Sequence, residues 1–135
     1  MTRSTKIITC FLKNGNKILI LKRSNRVKSM KGLWAGISGI IEKNESPLER
    51  AKIEIYEEVG INDEQIKLLK ESEEMRITSP QYENHEWEVY PFLFSIENPK
   101  IKLNWENSEY RWIKIEEILD YETVPSLDKV LFNLL

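Results

Sequence analysis

Between Gly39 and Ile61 the chain reads GIIEKNESPLERAKIEIYEEVGI, a stretch that crowds Glu54, Glu57 and Glu58 onto one short helix. On a wheel with Leu48 at zero, Glu57, Glu54 and Glu58 fall near about 180°, 240° and 280°, while Ala51, Ile55 and Val59 fall near about 300°, 340° and 20°. The helix therefore has a stripe to bury and an acidic stripe. Like charges three or four residues apart each cost an isolated helix roughly 0.2–0.5 kcal/mol. A cation held between the carboxylates would remove that repulsion. Hard oxygen donors favour magnesium, manganese or calcium over zinc, and the segment has no Cys or His beside them. The plain alternative is a solvated acidic face.

The ends of this helix are marked in the sequence. Ser46, Pro47 and Glu49 make an S-x-x-E capping box with proline at the first helical position, and Gly60 stands where a left-handed cap belongs. The spacing predicts a helix over about 47–59.

Glycine, five residues, glutamate, seven residues, then R-E-U-x-E-E-x-G-U, with U a bulky aliphatic, is the signature of the Nudix hydrolases, which this stretch closely resembles. Gly39, Glu45, Glu54, Ile55, Glu57, Glu58, Gly60 and Ile61 fall on the pattern. Ile53 stands where the family carries an arginine that braces the acidic cluster; Arg50, one turn before Glu54, is placed to substitute in part. Just upstream, LWAGISG is similar to the family's approach to this box, with Ile37 and Ser38 where many members have proline and glycine.

At 135 residues with 41% hydrophobic content, the chain is expected to form one domain, residues 1–135, with a core that needs no staples. Cys10 is the sole cysteine and lies in the apolar run IITCFL, so it reads as a buried structural thiol. The sequence has neither an apolar run of membrane-spanning length nor a signal-peptide pattern, so the expectation is a soluble cytoplasmic protein with no membrane partner. The net charge of −2 hides an asymmetry: residues 1–41 carry nine Lys and Arg without any Asp or Glu, leaving −11 for the rest. No RNA- or DNA-binding motif accompanies that basic segment, which argues against a nucleic-acid partner.

Thr5–Leu12 and Lys17–Lys22, apolar and partly β-branched, flank Asn14-Gly15 and read as a hairpin. Met75–Thr78, Glu86–Phe94 and Tyr110–Ile115 are further strand candidates, and Gln65–Glu71 is ambiguous. Leu127, Val130, Leu131 and Leu134 have the spacing of an amphipathic C-terminal helix with Pro125 near its start. Strands around a central helix, with a second helix at the end, give an α/β domain. The resemblance implies the Nudix fold, an α/β/α sandwich with a central mixed β-sheet.

The resemblance also implies roles. Glu54, Glu57 and Glu58 match metal-binding glutamates, Gly39 a glycine whose carbonyl can join the shell, and Glu45 a residue that orders the loop and outer shell, with Arg50 as its brace. The cofactor would be Mg²⁺, with Mn²⁺ as a possible substitute. A base for the attacking water would come from the box, Glu54 first, or from a distant loop, where Glu106 and Glu109 precede an aromatic strand and Glu106 has the better distance from Trp112. Arg23, in ILILKRS, is similar in position to a substrate-contacting arginine, and Lys31 is a second phosphate-binding candidate in the cluster with Lys22, Arg26 and Lys28. Trp34, Tyr82, Trp87 and Tyr90 are candidates to hold a base or to serve the core. His85, the sole histidine, reads as a surface residue. The implied activity is pyrophosphohydrolysis of a nucleoside diphosphate derivative: a nucleoside triphosphate first, then ADP-ribose or a dinucleoside polyphosphate. The alternative is a Nudix-like module that binds nucleotide or a partner without turnover, for want of the arginine at Ile53. A homodimer is left open.

Overall fold

The computed structural model describes residues 3–79 and 82–135, with only the backbone of Tyr82. Pro80 and the Tyr82 side chain lie outside the described residues. Along the chain run β1 (Arg3–Asn14), β2 (Lys17–Arg23), β3 (Trp34–Ala35), β4 (Ile37–Ile40), α1 (Pro47–Val59), β5 (Ile66–Glu71), β6 (Met75–Ser79), β7 (Tyr82–Ile96), β8 (Asn107–Lys114) and α2 (Leu127–Phe132). Short 3₁₀ turns cover Asp63–Gln65 and Ile115–Asp120.

The expected hairpin forms, with Lys13 opposite Ile18 and Asn14 opposite Lys17. The turn falls one residue later than the Asn-Gly signal suggests: Gly15, at φ 63°, is its first central residue and Asn14 stays in the strand. β1 then pairs in parallel with β7 from Arg3–His85 to Lys13–Ser95, while every other strand pair is antiparallel. The sheet is therefore mixed, as expected. On the other edge of β1, Ile7–Cys10 pair with β4, and β2 continues outward to β3 and β8.

Both faces of this sheet are covered, which explains why β1 and β2 are apolar at nearly every position instead of alternating with polar residues. Ile8, Cys10, Leu12, Leu19, Leu21, Phe92 and Phe94 face Ala51, Ile55 and Val59 of α1. The intervening positions, Phe11, Ile18, Ile20, Val89 and Leu93, pack with Leu127, Val130, Leu131 and Leu134 at the C-terminal end. The α/β/α sandwich follows directly. No helix among the described residues is long and apolar enough to cross a membrane.

The helix α1 has the predicted bounds. Ser46 Oγ accepts from the Glu49 N–H at 3.1 Å, Glu49 accepts from the Ser46 N–H, and Gly60 closes the helix at φ 72° with its N–H on the Tyr56 carbonyl. Such a cap contributes about 1 kcal/mol and fixes the first turn, hence the direction in which the later glutamates project.

Candidate active site

The buried stripe of α1 presses on β1 and β4, so the acidic stripe is drawn down along the β4 rim. Glu54 and Glu58 are only 8% and 4% exposed, whereas Glu57, between them in sequence, is open to solvent. Gly39 makes the approach possible. A Cβ there would overlap the Glu54 carboxyl group, so only glycine lets the helix side chain lie on the strand.

Glu45, Arg50 and Glu54 form one unit. Arg50 Nε and Nη2 donate to the two oxygens of Glu45 at 2.6 and 3.0 Å, and Nη1 reaches Glu54 Oε2 at 3.0 Å. The Glu42 N–H also donates to Glu45, at 2.6 Å, which ties the loop before the helix into the same fork. The hydrogen bond from Arg50 is the main cause holding the Glu45 carboxyl below the ordinary range, and the one to Glu45 is the main cause raising the Arg50 pKa. Ile53, at the family's arginine position, is 39% exposed and takes no part. The planar fork has moved back three residues on the helix and still spans two carboxylates.

Glu58 is held without a cation. The Ser38 N–H donates to its Oε2 at 3.2 Å and the Asn107 amide to its Oε1 at 3.1 Å. Burial, then the charges of Glu106 and Glu54, push its carboxyl well above the ordinary range, and the Asn107 bond opposes them. Glu54 is raised as well, first by burial, with Glu57 and Glu106 adding and Arg50 opposing. Burial, together with the negative charge of Glu58 and Glu54, raises the Cys10 thiol, which lies in the core as expected. Glu106 is thus an electrostatic member of the cluster. Glu109 is not: it pairs with Lys22 and Arg111 on the sheet surface.

The donor set is all carboxylate, two members are buried at a cost that a cation would relieve, and the residues fit a hard divalent ion. Among the described residues, however, no three acid, His or Cys side chains are gathered as a ready-made cage. Glu57 supplies exposed negative charge beside Glu54.

A cleft of about 250 Å³ lies on the opposite face of the sheet and meets this cluster at β4. Arg23, Gly39, Ile77, Trp87, Leu127 and Val130 are among its lining residues, and Ser38 also borders it. Of the aromatic candidates, Trp87 lines the cleft. Trp34 belongs to the core, edge-on to Tyr121 at 5.3 Å between centroids, because β3 turns it inward. Tyr90 lies on the α1 side and donates to Glu74 at 3.1 Å. Arg23 reaches the cleft, although its Nε and Nη2 donate to the Ser29 carbonyl at 3.2 and 3.1 Å, a bond that fixes the guanidinium plane. Lys31 is exposed and lies outside the cleft lining. His85 is half-buried against Trp87, with Nε2 2.9 Å from Thr5 Oγ1.

Ser24, Ser38 and Asn107 escape a reading of the sequence. Ser38 acts through its backbone and carries no residue-type signal. The position of Asn107 right after Glu106 is the one hint the sequence offers.

A family model described as the NUDIX domain matches residues 3–134. Over 138 residues the chain is 26% identical to the nucleoside triphosphatase NudI of Escherichia coli, covering 96% of this chain and 95% of that one. It is 25% identical over 122 residues to an RNA pyrophosphohydrolase of Bartonella clarridgeiae, covering 77% and 68%. Among solved structures, an Ap4A hydrolase of C. elegans superposes with a TM-score of 0.78 at 18% identity, covering 96% of this chain and 93% of that one. A MutT protein from Methanosarcina mazei superposes at 0.75 with 24% identity, covering 97% and 91%. At those identities the structural matches establish the shared fold.

Proposed function

The chain belongs to the NUDIX domain family, and from that premise we propose that it is a divalent-metal-dependent pyrophosphohydrolase that cleaves a nucleoside diphosphate derivative by attack of water on phosphorus. The observation that carries this reading is the burial of Glu54 against Gly39 and of Glu58 against Ser38, where negative charge collects beside the cleft that both strand residues border. Glu54, Glu57 and Glu58, with the Gly39 carbonyl, would hold Mg²⁺, or Mn²⁺ in its place. When bound, the ion supplies positive charge for the phosphate oxygens and lowers the pKa of a water.

The protein groups do the rest. Arg50 fixes Glu45 and Glu54 as one rigid piece, which counters the objection that Ile53 has cost the chain its brace. Trp87 and Ile77 offer an apolar wall for a base, and Arg23, its plane already set by Ser29, offers hydrogen-bond donors to phosphate oxygens. Lys31 would meet phosphate only from the solvent side. Glu106 takes the proton of the attacking water: its carboxylate accepts from the neutral Asn104 amide, whereas one oxygen of Glu54, the alternative, is already committed to the Arg50 guanidinium. A nucleoside triphosphate is favoured over ADP-ribose or a dinucleoside polyphosphate. A relative aligned across nearly the whole of both chains is a nucleoside triphosphatase.

The test is a panel of these nucleotides with Mg²⁺ and with Mn²⁺, with products identified to locate the broken bond. Turnover should vanish in EDTA and fall by about a hundredfold or more in Glu57→Gln. Turnover that survives EDTA would remove the metal reading, and unchanged turnover in Glu57→Gln would remove the site assignment.

A further inference from the structure

The segment Asn104–Glu106, which carries Glu106 and leads into β8, lies outside any helix or strand, yet its polar groups are tied down one by one. The Glu106 N–H donates to Asn104 Oδ1 at 3.1 Å, and Asn104 Nδ2 donates back to Glu106 Oε1 at 3.3 Å. The Glu106 carbonyl accepts the Ser24 N–H at 2.8 Å. Ser24 Oγ donates to the Trp105 carbonyl at 2.7 Å and accepts the Arg26 N–H at 3.2 Å, and the Arg26 guanidinium sits 5.9 Å from the Trp105 ring centre. On the far side, Asn107 turns inward to Glu58. It can do so because the β2–β8 ladder slips between Lys22 and Arg23, pairing Lys22 with Glu109 but Arg23 with Asn107. Bulges of this kind re-aim a side chain beside a functional site.

Ser24 is the hub. It is buried, comes from the loop after β2 and spends both its backbone N–H and its hydroxyl on two successive carbonyls of a loop 81 residues away. We infer that Ser24 is a positioning residue, which clamps the Trp105–Glu106 backbone so that the Glu106 carboxylate is held over the Glu54–Glu58 pair. The clamp also joins two parts of the site, because the residue before Ser24 is Arg23 of the cleft: the loop that meets the phosphates and the loop that takes the proton share one fastening. The inference rests on the proposed hydrolysis and adds to it a residue with no contact to the reacting atoms.

If Ser24 works through Glu106, Ser24→Ala lowers kcat about tenfold or more while KM moves less than about twofold, since geometry at the base is lost and substrate contacts remain. Ser24→Thr, which keeps the hydroxyl, restores most of the rate. In a Glu106→Gln background the same Ser24→Ala change has no further effect; Glu106→Asp serves as the background if Glu106→Gln turns over below detection. In the metal-free protein, hydrogen exchange of the backbone amides of residues 103–109 quickens in Ser24→Ala and that of α1 does not. Should Ser24→Ala fail to fold, Ser24→Cys keeps the volume while weakening the donor. An equal loss of kcat in both backgrounds, or unchanged exchange at 103–109, overturns the inference. A wild-type protein that turns over nothing in the panel strikes instead at the functional reading itself.

Discussion

Glu54 and Glu58 lie one turn apart on the same helix and answer to the same letter in the motif, both with little surface exposed and Glu58 the deeper of the two. Their surroundings differ. Glu54 shares a guanidinium with Glu45, so part of its burial is balanced inside the protein. Glu58 has a backbone N–H and a side-chain amide, both neutral, and stands further above the ordinary carboxylate range, first because of its deeper burial and then because of the charges of Glu106 and Glu54. A pattern of residue types thus specifies where carboxylates go. Depth and neighbours together decide which one has part of its charge balanced inside the protein and which one leaves the larger deficit of positive charge.

The strongest way to probe this contrast is to neutralise each carboxylate in turn. Glu54→Gln and Glu58→Gln should both lower turnover by about a hundredfold or more. In the metal-free protein at pH 8 they should part ways. Glu58→Gln raises the melting temperature by a few degrees, on the order of 1 kcal/mol, because a buried charge without a cation is gone. Glu54→Gln gives no such gain, because it deprives Arg50 of a partner. Scanning calorimetry in EDTA measures the difference, and equal shifts would mean that Arg50 does not set the two carboxylates apart.

Next in size is Arg50→Ala, which makes Glu54 resemble Glu58. Activity should fall about ten- to a hundredfold and the concentration of Mn²⁺ needed for half-activity should rise. Arg50→Lys, a point charge in place of a fork, should recover only a minor part. Steady-state rates across a Mn²⁺ titration read both.

A smaller effect comes from pH. Glu54 and Glu58 have folded-state values raised above those of the unfolded chain, so the folded protein binds the extra protons. The stability they confer is complete below about pH 4.3, the ordinary glutamate value, and is lost as pH rises through their raised values. The metal-free protein should therefore melt progressively lower from about pH 5 toward pH 8. Added Mg²⁺ or Mn²⁺, or Glu58→Gln, should flatten that slope in a thermal-shift series. A slope of the opposite sign would show that the pair is not desolvated.

The smallest effect expected is that of Ile53→Arg in the otherwise intact protein. Glu45 already has both oxygens occupied by Arg50, so turnover should change less than about threefold. In Arg50→Ala, by contrast, Ile53→Arg should return a measurable share of the lost rate. Equal gains in the two backgrounds would mean that Arg50 is not the brace.

How much of this was legible in the sequence depended on how local the cause was. The helix over about 47–59 was legible at both ends, because Ser46, Pro47, Glu49 and Gly60 act within one turn of its ends. Glu106 was legible as a loop acid before a strand, and the hairpin from its Asn-Gly. The strands β3 and β4 were not, since two and four residues hold their shape only through pairing with β2 and β1. Gln65–Glu71 stayed ambiguous because β5 is an edge strand, mostly exposed and without an alternating pattern. Trp34 and Trp87 have the same composition signal, and only the turn of β3 sends one to the core and the other to the cleft. Ser24 and Asn107 owe their places to a bulge between strands 84 residues apart at their nearest paired positions, Arg23 and Asn107.

The long parallel pairing of β1 with β7 has a consequence for the making of the protein. β1 precedes the other strands of this sheet along the chain, yet its central partner is complete only at Ile96, so a ribosome must pass β3, β4, α1, β5 and β6 beyond the first hairpin before the sheet can close. Until then α1 can meet β1 and β4, but the part of its floor that Phe92, Phe94 and Ile96 supply is missing. Folding should accordingly be slow for a chain this short, limited by a late search between distant segments, and the nascent chain should lean on chaperones most heavily in that interval.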